Sequence, residues 1–134
     1  MELQADIVTF EPCDDEFIAY AFFRAGKASD KHYLAISRSL EPGNEGDVVL
    51  ELDDQSRQAN DGILEWKLDE NRLTLCIESR AAKDLGIVGD PIIVVDFAMN
   101  RDAREGLERT LSAILGDGLE AGSRPGRAKV SGTR

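Results

Sequence analysis

The side chains of this 134-residue chain that could do chemistry are almost all carboxylates. Asp14, Asp15 and Glu16 form one cluster; Glu51, Asp53 and Asp54 form a second, which Asp61 and Glu65 extend. A glycosidase needs two such groups facing each other across a cleft. A calcium loop needs oxygens at alternate positions of a D-x-[DN]-x-[DN]-G pattern, which Asp53-Asp54-Gln55 does not begin. The single histidine, His32, cannot build a zinc site with Cys13 and Cys76, which lack C-x-x-C spacing. No serine sits in a G-x-S-x-G elbow, and Gly86-Ile-Val-Gly89 lacks the strand-to-helix context of a phosphate-binding loop. Cys13 is followed by three acids and is a poor nucleophile candidate. The expectation is therefore no enzyme, no metal site and no cofactor. The acids read either as solvated turn residues or as a recognition patch for a basic protein.

Charge supports the second of these without deciding it. Sixteen basic and 26 acidic residues give a net charge of −10. The stretch from Leu119 to Arg134 is net +3, so residues 1–118 stand at −13. Such a field repels phosphate backbones, which disfavours nucleic acid as a partner, and accelerates encounter with a basic protein. Acidity alone also serves solubility. No apolar run approaches the roughly 20 residues that span a bilayer, and MELQADIVTF has no signal-peptide pattern. These features imply a cytoplasmic protein with no membrane partner. Two cysteines fit free thiols, although pairing of Cys13 with Cys76 stays open.

Chain length suits one α+β domain over residues 1–118 with a disordered tail over 119–134, which is glycine-rich, polar and aperiodic. Strands are predicted at Asp6–Phe10, Phe17–Phe23, His32–Ser37 and Val48–Leu52, with a turn at Gly26–Asp30. A hairpin follows: Leu64, Trp66 and Leu68 share one apolar face of the first strand, and Leu73, Leu75 and Ile77 that of the second, across the Asp69-Glu70-Asn71 turn. Ser79 is a candidate cap for a short helix through Leu85, ended by Gly86. Pro91–Phe97 is a continuous apolar strand. Asn100 then caps the main helix, where Ala103, Leu107, Leu111, Ile114 and Leu115 form one stripe up to Gly116. The fold expected is α+β: a mostly antiparallel sheet of about six strands, with the C-terminal helix packed on one face and one short helix. The polar stretch from Glu51 to Asp61, including the acidic turn Asp53-Asp54-Gln55, is the part expected to face a partner.

The order of short motifs resembles the immunity protein 10 family, whose members neutralise secreted bacterial polymorphic toxins. The motifs are DDEF (Asp14–Phe17), YLAISRSL (Tyr33–Leu40), LELDDQ (Leu50–Gln55), DGI (Asp61–Ile63), AAKDLGI (Ala81–Ile87) and LERTLSAILG (Leu107–Gly116). The chain departs from that family's pattern at Ala59-Asn60-Asp61-Gly62 and at Ser37. The resemblance implies a non-catalytic protein that binds a cognate toxin stoichiometrically and occludes it; the acidic body suits a basic toxin, and a monomer or weak homodimer is expected. It points to Tyr33 and Glu51 as site residues, although both also suit a structural role. With them, Asp14, Asp15, Asp53, Asp54, Gln55 and Asp61 complete the candidate contact set. Two alternatives stand beside it: a carboxylate-dependent hydrolase or metal-binding enzyme, and a module that self-associates through a sheet edge.

Overall fold

The computed structural model describes residues 1–26 and 32–116. Part of the turn predicted at Gly26–Asp30 and the whole of the predicted tail lie outside the described residues. In chain order come β1 (Glu2–Gln4), β2 (Ile7–Glu11), β3 (Ile18–Arg24), β4 (Tyr33–Ser39), β5 (Val49–Leu52), β6 (Asp54–Asn60), β7 (Ile63–Asp69), β8 (Arg72–Ile77), α1 (Ser79–Asp84), β9 (Ile92–Asp96) and α2 (Arg101–Leu115). The fold is α+β. The described strands number nine rather than about six and divide into two sheets, ordered β1-β9-β8-β7 and β2-β3-β4-β5-β6. Every pairing is antiparallel except β1 with β9. Among the described residues no helix is long and apolar enough to cross a membrane.

The chain passes between the sheets at both of their edges. At one corner β1 leads into β2 through Ala5 and Asp6, whose amides bond to Asp96 and Arg24 carbonyls at 2.8 and 2.9 Å. At the other, β6 leads into β7 through Asp61 and Gly62, both with positive φ. A side chain at Gly62 would come within 2.8 Å of Ala81 Cβ, so glycine is required for the backbone to pass beneath α1.

Strand alternation then sorts side chains to one shared core. From the five-stranded sheet come Ala19, Ala21, Phe23, Leu34, Ile36, Leu50, Leu52 and Ala59; from the other come Leu3, Trp66, Leu73, Leu75, Ile77, Ile93 and Val95. Helix α2 covers this inner face across β2, β3 and β4. Leu107, Leu111 and Ile114 are fully buried beneath it, each stabilising the fold by about 2 kcal/mol. Asn100 caps α2 as expected, its side chain accepting the Ala103 amide at 2.8 Å.

Three local expectations need correction. Ser79 does not cap α1: it is the first helical residue, and the N-cap is Glu78, whose side chain makes no capping bond. Leu64 does not share the inner face with Trp66 and Leu68 but is 58% exposed. A bulge between Ile63 and Glu65 inserts it as an extra residue and resets the alternation. Asp53-Asp54-Gln55 is not a turn of its own: the chain reverses at Asp53 alone (φ 68), and Asp54 opens β6.

Candidate partner-binding face

Because one side of the five-stranded sheet faces the core, the residues between the core positions make up an outer face. Register places them in rows. One row reads Thr9, Phe22, Ala35, Glu51, Gln58; the next reads Glu11, Tyr20, Ser37, Val49, Asn60; on the other side of the first, a shorter row reads Ile7, Arg24, Tyr33. Tyr20, Phe22, Tyr33, Ala35, Val49 and Glu51 are all half-buried. The face thus sets these aromatic and aliphatic residues and the Glu51 carboxylate among polar positions that include Glu11 and Arg24.

Tyr33 and Glu51, both named from the sequence, meet here. The Tyr33 hydroxyl donates to Glu51 Oε2 in a short hydrogen bond, and Gln58 Nε2 donates to Glu51 Oε1 at 2.9 Å. The Tyr33 ring also packs against Phe22, with centroids 5.4 Å apart at 33°. Burial, the bond to Glu51 and the negative charges of Glu51, Asp54 and Asp53 push the Tyr33 hydroxyl up to about 12. Both donors to Glu51 are neutral, and among the described residues no ion pair forms at its carboxylate.

Most of the other predicted contact acids serve the backbone. Asp53 accepts the Tyr33 amide at 3.1 Å, lies 3.2 Å from His32 Nδ1 and accepts Arg57 Nη1 at 3.1 Å. These bonds fix the corner between β5 and β6. Asp54 accepts the Ser56 hydroxyl and amide, which lower its pKa, and its remaining surface is exposed. Asp14 accepts the amides of Glu16 and Ile18, both at 2.8 Å, closing the β2–β3 loop. Asp61 accepts the Val48 amide at 3.1 Å. Asp15 and Gln55 are exposed. Register puts Asp14, Asp15 and Asp61 at one end of the sheet and Asp53 and Asp54 at the other. The two acidic clusters therefore do not converge, and among the described residues no group of His, Cys, Asp and Glu is arranged to hold a metal ion. Cys13 and Cys76 are unpaired; burial, then Glu65, raises the Cys76 thiol.

Sequence reasoning missed Tyr20, Phe22 and Gln58 as members of this face. A signal for the first two existed: small Ala19 and Ala21 alternate with them in β3, and the residues between small core positions must point outward. Comparison of the chain with protein-family models, curated proteins and solved structures finds no match.

The outer face of the other sheet gives a contrast. There Asp96 is paired with Arg72 at 2.7 Å and Asp69 with Lys67 at 3.8 Å. Two carboxylates of that face thus meet cations, whereas among the described residues no ion pair forms at Glu51.

Proposed function

We propose that this protein is an immunity-type inhibitor that binds a cognate bacterial toxin stoichiometrically, without catalysis, through the outer face of its five-stranded sheet. The observation that carries the reading is the grouping of three half-buried aromatic rings with a carboxylate that forms no ion pair among the described residues. Aromatic anchors in a partly desolvated patch are the usual source of interface energy. Body charge of −13 supplies steering toward a basic partner, and the sequence resemblance supports a toxin as that partner.

Coexpression with the product of the adjacent gene, which the proposal requires to be a toxin, tests it. Cells making both proteins should grow, and the two should elute as a 1:1 complex whose affinity falls with added salt. Replacing Phe22 and Tyr33 together by alanine should weaken the complex at least about tenfold. Toxin-expressing cells that die despite folded inhibitor would sink the proposal.

A further inference from the structure

Glu51 is the unusual group on this face, and its surroundings specify what it can take. Each carboxylate oxygen accepts up to two hydrogen bonds. Oε2 holds one from Tyr33 and Oε1 one from Gln58, so each oxygen keeps one acceptor position. The two filled positions go to neutral donors within the sheet surface, and the negative charge is half-buried. Beside Glu51 in the same row is Ala35, with Phe22 beyond it and Tyr33 two residues before it on β4. Ala35 is small and keeps part of its surface, so it makes a low floor bounded by two rings and a carboxylate.

We propose that this floor is an arginine-recognition site: a guanidinium from the partner lies over Ala35 against the Phe22 and Tyr33 rings and donates two hydrogen bonds to Glu51. A guanidinium fork matches two open acceptor positions on one carboxylate, and its weakly hydrated plane stacks on aromatic faces. Lysine offers a strongly hydrated point charge and cannot fill both positions in that geometry. The inference rests on the inhibitor reading, since it names the partner group that this face would hold.

The test uses the full-length chain and two small probes of equal charge, N-acetyl-arginine amide and N-acetyl-lysine amide, followed by amide chemical shifts at low ionic strength. Arginine amide should move signals of β3, β4 and β5 around Phe22, Ala35 and Glu51, with a Kd on the order of 10 mM, at least about threefold tighter than lysine amide. Glu51→Gln, which keeps an acceptor for Tyr33, should abolish the response, and Phe22→Leu should erase the preference for arginine. Equal responses to both probes in the unaltered chain, no response at all, or shifts that survive in folded Glu51→Gln, would each overturn the proposal. The arginine–lysine contrast needs no variant to fold. Arginine capture without toxin protection refutes the inhibitor reading; protection by a chain whose spectra ignore arginine refutes only this site.

Discussion

Replacing Gly106 by alanine sets two opposed effects of known size against each other. Gly106 lies within α2, where alanine would stabilise the helix by about 0.8–1 kcal/mol. The added Cβ, however, would stand 2.8 Å from Phe10 Cε1 and 3.1 Å from Cζ. Ordinary carbon contacts are about 3.5–4 Å, so either the helix lifts from β2 or the ring swings aside. Forcing a methyl group into a packed contact costs about 1–3 kcal/mol. Phe10 is only half-buried, which places the cost near the middle of that range and leaves a net loss of about 1 kcal/mol. Urea unfolding followed by fluorescence of Trp66, the chain's single tryptophan and 5% exposed, reads the change directly. Repeating the substitution with Phe10→Leu isolates the contact: there Gly106→Ala should stabilise by roughly 0.5–1 kcal/mol, a coupling of at least about 1 kcal/mol. The same effect in both backgrounds, or stabilisation with Phe10 intact, would refute the account of why glycine stands at this position.

Three further outcomes follow from specific contacts. Arg38 Nε donates to the Gly46 carbonyl at 2.9 Å and Nη1 to the Ile114 carbonyl at 3.3 Å, so Arg38→Met should lose about 1–3 kcal/mol in urea unfolding. Lysine should not rescue it, because one ammonium cannot serve two separated acceptors. Spectrophotometric titration should find Tyr33 ionising near pH 12, and Glu51→Gln should bring it down toward its ordinary value of 10. With the folded pKa above the unfolded one, the stabilisation is fully present below pH 10 and is lost as the pH rises to about 12. Unfolding measured across that window should show the slope, and Tyr33→Phe should remove this residue's part of it. Asn100→Ala should cost about 1 kcal/mol through loss of the α2 cap, and Asn100→Ser close to nothing.

What the sequence made legible was whatever local period controls. The β7–β8 hairpin and α2 with its Asn100 cap follow from alternation, helical spacing and capping chemistry. Strand β6 was invisible for the opposite reason: in DQSRQAN only Ala59 is buried, and Arg57 is held half-buried by bonding the Leu85 carbonyl at 2.7 Å and Asp53. A polar edge strand of this kind exists because β5 offers it a backbone ladder, not because its own residues alternate. Strand β1 is three residues long and pairs with β9 some ninety positions away, with the Met1 ammonium on the Ile92 carbonyl at 3.0 Å. No local pattern can report such a pairing. The candidate face divides in the same way. Tyr33 and Glu51 were nameable singly, but the company of Phe22, Ala35 and Gln58 is a product of register across four strands. Spacing suited the acid clusters to a surface patch but could not report that their oxygens bond nearby amides, as those of Asp14 and Asp61 do.

The corner-sharing topology leaves each sheet with an outer face, and the two faces differ in how some of their carboxylates are held. Both sheets bury one side in a common core and must expose the other, so exposure alone distinguishes nothing. The four-stranded sheet answers with local pairing: Arg72 with Asp96 across strands and Lys67 with Asp69 along one. Two of its carboxylates are paired within the chain, and a partner would have to break those pairs to use them. The five-stranded sheet instead places Glu51 among rings, with hydrogen bonds that orient the carboxylate and do not neutralise it. A cationic group arriving from outside would pair with that carboxylate and would add ring contacts that solvent cannot supply. That asymmetry, rather than the count of acids, is what makes the outer face of β2–β6 the surface on which binding should be sought.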